Sequence, residues 1–348
     1  MAREKIIDSA SIGTDDEQFN LALRPETLDA CLGVPDLLEK LRIAISAARG
    51  RDEPMEHVLL HGPPGLGKTT LAYVIAHEMQ ATIKVSSGPA LTKPTDLVGI
   101  LTNMERGDVL FIDEIHRLSA SVEEYIYPAM EDYKVDFVVD SGMHSRTINV
   151  PLKPFTLIGA TTRAGMLSPP LLSRFGIQHH LNYWTVQDLA QRVQMTAEML
   201  KIPCEPAAID LIARRARGTP RIANRLVRRC RDYAQVRANG KLTPEVVELA
   251  LKLEGIDQLG LDELDRRFLR IIIDTYKGGP VGVEAVAATL GEETDTLVDV
   301  VEPYLLQTGL LARTRRGRGV TIKAYQHLGI TMTAPPTENL FEEPDQEG

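Results

Sequence analysis

A complete phosphate-binding motif occupies residues 62–69. Its sequence, Gly-Pro-Pro-Gly-Leu-Gly-Lys-Thr, matches the pattern G-x-x-x-x-G-K-[ST] at every position. In such a loop the backbone N–H groups and the following helix N-terminus surround the phosphates, the lysine reaches the β- and γ-phosphates, and the hydroxyl holds Mg²⁺. Lys68 and Thr69 are therefore predicted to bind the phosphates and Mg²⁺ of a nucleoside triphosphate.

A pair of acids forms the second chemically informative feature. Asp113 and Glu114 come directly after the apolar run 109–112, which is typical of a buried parallel strand. Because the carboxyl ends of parallel strands meet at one edge of a sheet, we expect these acids beside the phosphate loop. Asp113 would hold Mg²⁺, directly or through water, and Glu114 would orient and deprotonate the attacking water. The pair predicts hydrolysis as well as binding.

Two further segments carry polar side chains that could act on the same nucleotide. The apolar run 155–158 leads to Thr161 and Thr162, either of which could hold the attacking water or the γ-phosphate. A proline-bounded short helix over 167–175 presents Arg174. This arginine is either a surface ion-pair residue or a finger inserted into a neighbouring subunit's site, where such groups contribute about 10³- to 10⁵-fold in rate. The order of the segments, which ends in a helical segment bearing Arg221, favours the finger.

Short apolar strands and intervening helices must position these side chains. The pattern predicts strands over 58–60, 109–112 and 155–158, and a helix over 70–76 directly after the phosphate loop. This alternation is typical of an α/β domain, a parallel sheet with helices on both faces. Since 348 residues exceed what one core usually holds, we expect two or three domains.

Basic residues concentrate in two segments of a chain whose net charge is −9. The first lies over 214–237, and the second, over 313–318, is flanked by apolar runs and indicates a β-hairpin with a basic tip. Helical patterns over 283–290 and 294–307 precede that hairpin, so together they describe a winged-helix module. Wing arginines usually contact DNA phosphates; the alternative is a solvated hairpin in a winged helix that binds protein.

The remaining composition narrows the class of protein. No apolar run approaches the roughly 18 residues of a membrane span, and the N-terminus lacks the apolar segment of a signal peptide. Cys31, Cys204 and Cys230 are far apart and have no metal-ligand spacing, so we expect reduced thiols in a cytoplasmic protein. Residues 1–20 are expected to be a flexible tail, and the acidic segment 331–348 a disordered one.

Taken in order, these motifs resemble those of the AAA+ ATPases and, more closely, those of the RuvB family, the motors of bacterial Holliday junction branch migration. The segments that carry the resemblance are 61–70, 110–118, 127–133, 159–165, 217–225, 278–282, 302–305 and 313–318. It covers about residues 21–330. The domains expected from it are a large AAA+ ATPase domain over 21–182, an all-α lid over 183–255 and a C-terminal winged helix over 256–330.

The resemblance implies a role for each candidate residue of the nucleotide site. Thr162 is similar to the first sensor, with Thr161 as a rival, Arg174 to a finger supplied in trans, and Arg221 to the second sensor on the lid. Besides Lys68, Thr69 and Arg221, the residues implied to bind ATP are Leu23, Arg24, Gly65, Gly67, Thr70, Glu131, Asp132, Tyr133 and Trp184.

Two of the departures from the family pattern affect the predicted binding residues. Trp184 stands where a tyrosine is expected near the nucleotide, which keeps an aromatic face but lacks the hydroxyl group. Thr294 stands where some relatives carry a basic residue that binds DNA. The predicted DNA-binding residues are therefore in the wing, mainly Arg313 and Arg318, together with Arg315 and Arg316.

The resemblance also implies partners. A homo-hexameric ring would surround duplex DNA, use ATP and Mg²⁺, be recruited to a four-way junction by RuvA, and work alongside the RuvC nuclease in recombination and repair. The alternating segment 135–150, with Ser141-Gly142 at its turn, resembles the family's hairpin that docks on RuvA. Apolar residues near its tip, Phe137, Val138 and Val139, suggest a partner surface.

Two other classes of function stay open. One is an ATP-switched loader or initiator, which has the same core but hydrolyses ATP slowly. The other is a ring that remodels protein and uses its winged helix for protein contacts. Glu114 and the 135–150 hairpin favour the motor. DNA-stimulated ATPase activity would separate the DNA-binding classes from the protein remodeller.

Overall fold

A computed structural model describes residues 23–139 and 146–331 of the chain, without the side chains of 137–139 and 146–148. The predicted N-terminal tail, the hairpin turn at Ser141-Gly142 and all but the first residue of the acidic tail lie outside the described residues. No helix in the described part of the chain is long and apolar enough to span a membrane.

The first domain is built on a five-stranded sheet. Its strands and those of a separate antiparallel hairpin are β1 (Val58–His61), β2 (Ile83–Ser87), β3 (Val109–Asp113), β4 (Lys134–Val139), β5 (Arg146–Pro151), β6 (Thr156–Thr161) and β7 (Ile177–His180). The sheet has the order β2-β3-β6-β1-β7, and every neighbouring pair in it is parallel. β4 pairs with β5 to form the hairpin.

Helices cover both faces of this sheet. They are α1 (Pro35–Arg51), α2 (Lys68–Glu78), α3 (Pro94–Thr102), α4 (Ala120–Glu131) and α5 (Pro169–Ser173). Buried side chains of α1 and α2, such as Leu41 and Ile75, form one core with the sheet. Those of α3, α4 and α5, such as Leu97 and Ile126, form a second core on the opposite face. The three inner strands β1, β3 and β6 are thus buried on both sides, which is why they are largely apolar, whereas the edge strands β2 and β7 are partly exposed and carry polar residues.

The strand order decides which chain segments meet. β6 lies between β3 and β1, with Ile112 beside Gly159 and His61 beside Thr161. The phosphate loop after β1, the two acids at the end of β3 and the threonines at the end of β6 therefore share one edge of the sheet. Such an edge is the usual ligand site of parallel sheets.

Four helices follow the sheet and pack around a core of their own. They are α6 (Val186–Met199), α7 (Pro206–Arg215), α8 (Pro220–Arg237) and α9 (Pro244–Leu253). Proline opens three of them, where its missing N–H costs nothing. Thr185 and Thr243 cap α6 and α9 by accepting a hydrogen bond from a first-turn N–H. Ile212, Leu226 and Leu251 are fully buried between the helices.

The last domain combines helices with a short hairpin. Its elements are α10 (Glu263–Asp274), α11 (Val283–Leu290), α12 (the consecutive helical stretches Thr294–Thr296, Leu297–Val301 and Glu302–Gln307), β8 (Leu311–Thr314), β9 (Gly317–Val320) and α13 (Ile322–Leu328). β8 and β9 are antiparallel, and Val281 bridges to Arg318 beside them. The predicted fold class, a parallel P-loop sheet followed by a helical lid and a winged helix, is confirmed.

Candidate nucleotide site and basic wing

A cavity of about 320 Å³ lies between the carboxyl edge of the sheet and the helical domain. Its size suits a small-molecule ligand, for which pockets of about 300–1,000 Å³ are typical. The residues predicted from the sequence that line it are Arg24, Gly65, Gly67, Lys68, Thr69, Thr70, Asp113, Glu114, Thr162, Trp184 and Arg221.

The phosphate loop has a backbone conformation that needs its glycines. Gly62, Gly65 and Gly67 have φ values of 138°, 78° and 96°, a region that side-chain-bearing residues rarely adopt. A Cβ at Gly65 would also lie 2.7 Å from Cγ2 of Thr219 in the helical domain. Gly67 directly precedes α2, so the positive end of an 11-residue helix opens on the cavity. This cradle fits a phosphate group.

Lys68 is buried at the floor of the loop. Its Nζ donates hydrogen bonds of 2.8 Å to the carbonyl oxygens of Gly62 and Pro63. Burial lowers the pKa of Lys68 to about 8, while the nearby carboxylate of Asp113 opposes that shift and Arg221 adds to it. A phosphate that replaced the lost hydration would stabilise the charged ammonium.

Thr69 and Asp113 form an oxygen pair suited to a hard cation. Thr69 Oγ1 donates to Asp113 Oδ2 over 3.4 Å, and Asp113 Oδ1 accepts from the backbone N–H of Glu114 over 2.9 Å. Carboxylate and hydroxyl oxygens are the ligands that Mg²⁺ takes beside substrate phosphates. The pair therefore fits Mg²⁺ next to the phosphate loop.

Glu114 has a strained backbone at the end of β3. Its φ is 47°, uncommon for a residue other than glycine, and strain of this kind concentrates at functional sites. A Cβ at Gly88 would come within 2.4 Å of the Glu114 carbonyl oxygen, so only glycine allows this close approach. Glu114 lines the cavity, and its carboxylate lies 3.1 Å from the Arg117 guanidinium.

The two threonines after β6 differ in their surroundings. Thr161 is buried, and its hydroxyl lies 2.9 Å from His116 Nδ1 and accepts a 2.9 Å hydrogen bond from the Arg163 N–H. Thr162 lines the cavity instead. This geometry favours Thr162 over its rival as the residue that faces the nucleotide.

The wall of the cavity carries two buried donors. Among the described side chains, Arg24 Nη1 and Trp184 Nε1 are buried without a hydrogen-bond partner. Arg24 also stacks 4.6 Å above the Tyr73 ring. The Trp184 ring packs so closely on Gly33 that a Cβ there would lie 2.5 Å from it. Donors on an aromatic wall fit the base and ribose of a nucleotide.

Sequence reasoning missed several residues of this wall. Arg192 donates to Asn224 Oδ1 and to the Leu23 carbonyl, each over 3.0 Å, and so ties the N-terminal segment to α6 and α8. Cys31 also lines the cavity, and burial raises the pKa of its thiol to about 11, which keeps it neutral. Neither side chain belongs to a motif, and Arg192 acts through contacts far along the chain.

Five predicted nucleotide-site residues do not line this cavity in the described part of the chain, namely Leu23, Glu131, Asp132, Tyr133 and Arg174. Arg174 Nη2 lies 3.0 Å from Glu131, and its guanidinium stacks 4.5 Å from the Tyr127 ring. The structure thus pairs Arg174 with Glu131, outside the cavity that the chain's own phosphate loop lines. The nucleotide-site roles of all five residues stay predictions.

The arginines of the basic hairpin fall into two groups, which differ in exposure. Arg313, Arg315 and Arg316 are exposed. Arg318 instead pairs through Nε and Nη2 with the carboxylate of Glu302, at 2.7 and 3.3 Å. Glu302 is buried, so this pair holds the hairpin against α12. Arg318 stays a prediction for DNA binding, with a structural role that the sequence did not indicate.

The site and the fold together define an AAA+ ATPase with an appended winged helix. The sheet supplies the phosphate loop, the oxygen pair suited to Mg²⁺, the strained glutamate and the polar strand end, and the helical lid adds an arginine. The chain matches three family descriptions. They are the Holliday junction DNA helicase RuvB P-loop domain over residues 23–181, the RuvB AAA lid domain over 184–257 and the RuvB C-terminal winged helix domain over 258–329. The chain belongs to the RuvB family, as the motifs predicted.

Solved structures agree with this assignment. The Thermotoga maritima RuvB Holliday junction branch migration motor is 51% identical, covers 89% of this chain and 99% of its own, and superposes with a TM-score of 0.81. A single-substitution mutant of that protein is 50% identical, with the same coverages and a TM-score of 0.83. The likeness extends across all three domains.

Proposed function

We propose that this protein is an ATP-driven motor that moves duplex DNA through four-way junctions and so drives their branch migration. The observation that carries the proposal is the single cavity in which Lys68, Thr69, Asp113, Glu114 and Thr162 meet. Membership of the RuvB family supports an ATPase and helicase activity of this kind. The exposed wing arginines supply a surface for DNA phosphates.

Each residue of the cavity has a place in hydrolysis. Lys68 and the loop N–H groups would hold the phosphates, and Thr69 and Asp113 would hold Mg²⁺, which would neutralise charge on the phosphate oxygens. Glu114 accepts the proton of the attacking water, and Thr162 holds that water or the γ-phosphate. Arg221 approaches from α8, so the position of the lid depends on what the cavity contains.

The remaining catalytic group is proposed to come from a neighbouring subunit of a homo-hexameric ring. Arg174 does not line the chain's own cavity and forms an ion pair with Glu131. In a ring this edge would face the next subunit's nucleotide, and Arg174 would stabilise charge that develops in its transition state. The proposal also includes domain boundaries at about residues 182 and 255, which separate the ATPase domain, the lid and the winged helix. It further includes docking of the 135–150 hairpin on RuvA and cooperation with RuvC.

The decisive experiment measures ATP-dependent movement of a synthetic four-way junction, with and without purified RuvA. Lys68→Ala is the blank, because it removes the buried ammonium of the loop. Junction dissociation that requires both ATP and RuvA supports the motor. Tight ATP-dependent DNA binding without strand movement would instead make the protein a loader.

Glu114→Gln tests the role of the strained glutamate. We expect the variant to bind ATP with wild-type affinity but to lose at least about 10²-fold in kcat, since an amide cannot accept the proton. Single-turnover hydrolysis and nucleotide binding measured on the same preparation check this. Unchanged turnover would remove Glu114 from the proposed chemistry.

Mixing of variants tests whether Arg174 acts on a neighbour. Arg174→Ala and Lys68→Ala should each abolish turnover, because one lacks the finger and the other the phosphate grip. Mixed rings should recover part of the activity, since a Lys68→Ala subunit still donates its Arg174 to an intact site. Mixed rings as inactive as either parent would contradict action in trans.

A further inference from the structure

The winged helix touches loops that line the nucleotide cavity of its own chain. A small space between the domains is lined by Pro63 and Pro64 of the phosphate loop, Thr219 of the lid, and Val300 and Pro303 of α12. Pro64 lines the nucleotide cavity as well, so the two sites share a wall. The most specific contact, however, is made at the loop that carries Thr162.

Arg163, the residue after Thr162, makes that contact. Its Nε and Nη2 donate to the two carboxylate oxygens of Asp299 over 2.9 and 2.6 Å, and Nη2 also donates to Asp295 over 3.0 Å. Both aspartates lie on α12. Only 26% of the Arg163 side chain is exposed, so water screens this bidentate pair less than a typical surface pair.

This contact fixes the loop on one side of Thr162. On the other side, the Thr161 hydroxyl is held by His116 and by the Arg163 N–H. Thr162, which faces the cavity, therefore lies between two residues whose side chains are held in place. Thr161 is held within the ATPase domain, and Arg163 is held by the winged-helix domain. Misplacement of a catalytic group by 1 Å can cost about 10²-fold in rate, so the anchor has a catalytic consequence.

We propose that Arg163 is a positioning residue for ATP hydrolysis and that Asp299, assisted by Asp295, anchors it. The winged-helix domain then sets the geometry of the Thr162 loop in its own subunit. Any movement of that domain on DNA is transmitted to the hydrolysis site through this ion pair. The inference rests on the proposed ATPase function.

The first test replaces one anchor without changing its shape. Asp299→Asn should lower the DNA-free kcat about tenfold and change the KM for ATP by less than about threefold, because the groups that bind nucleotide are untouched. The matched control is Asp210→Asn, which breaks the 2.8 Å pair between Asp210 and Arg214 on the lid surface. That control should keep the wild-type kcat and KM.

A second set of variants separates positioning from general damage. Arg163→Lys should keep part of the kcat that Arg163→Ala loses, because an ammonium can reach one aspartate. Combining Arg163→Ala with Asp299→Asn should cost no more than Arg163→Ala alone, as expected when two residues act as one unit. Thermal unfolding of each variant verifies that the domains remain folded.

The outcomes are distinct. An unchanged kcat in Asp299→Asn, a rise in KM without loss of kcat, or additive losses in the double variant would each overturn the positioning role while leaving the ATPase proposal intact. A wild-type protein without ATPase activity would overturn both.

Discussion

The two arginine-rich segments of this chain differ in how many of their arginines the fold buries. In the segment 214–237, Arg215, Arg217 and Arg225 are buried. Arg217 donates to both oxygens of Asp265 over 2.8 and 3.3 Å and lies 4.4 Å above the Tyr304 ring. In the hairpin 313–318, three of the four arginines are exposed.

The difference shows that the density of arginine does not identify a DNA-binding surface. Two of the buried lid arginines have acidic partners far along the chain, Arg217 with Asp265 and Arg215 with Glu248. The Arg217 pair ties the lid to α10 of the winged-helix domain, and the Arg215 pair joins two helices within the lid. The wing arginines project from a short hairpin, where solvent or a polyanion can reach them. Arg318 is the exception, because its guanidinium is hydrogen-bonded to the buried carboxylate of Glu302.

The largest effect should come from breaking the most buried pair. We expect Arg217→Ala to lower the free energy of unfolding by about 3–5 kcal/mol, since it leaves the Asp265 carboxylate buried without its counter-charge. Urea denaturation measures this. Combining Arg217→Met with Asp265→Leu should recover most of the loss, because that change removes both charges. A loss below about 1 kcal/mol in the single variant would contradict the structural role of Arg217.

Arg318→Ala should have the next largest effect on stability. It also tests whether Arg318 is a structural arginine or one that contacts DNA. Removal of this guanidinium leaves Glu302 unpaired, with 2% of its side chain exposed, so we expect a loss of about 2–3 kcal/mol. The measurement pairs denaturation with DNA affinity at low salt. A stable variant with weakened DNA binding would move Arg318 back to the DNA-contacting group.

The smallest effect on stability should come from Arg315→Ala with Arg316→Ala. Both side chains are exposed, so stability should stay within about 0.5 kcal/mol of wild type. The slope of log affinity for duplex DNA against log salt should fall by about 2, because each arginine is expected to neutralise one phosphate. Arg214→Ala, a lid-surface control, should change neither quantity. An unaltered slope in the double variant would place the DNA-binding surface elsewhere.

In the nucleotide site, too, some residues can be identified from local sequence and others only from the fold. Lys68, Thr69, Asp113 and Glu114 could be identified from the sequence because their spacing follows from one loop and one strand end. Arg192 could not, since its partners, Asn224 and the Leu23 carbonyl, come from distant segments. Its position in an amphipathic helix looks like any other solvated arginine.

Some predictions named residues without fixing where they lie. Arg174 and Glu131 were assigned to a nucleotide site, and the fold pairs them with each other beyond the chain's own cavity. The choice between Thr161 and Thr162 was open in the sequence because both follow the same strand. Burial of Thr161 and its bond to His116 favour Thr162.

The sequence by itself determined the family, the order of the three domains and the residues whose chemistry depends on local spacing. It could do so because a phosphate loop, a strand end and a helical period are properties of neighbouring residues. The tertiary structure alone decided which charges face each other, such as Arg163 with Asp299 and Arg318 with Glu302. Such pairs depend on how separate elements pack, and that packing brings together residues which no local pattern relates.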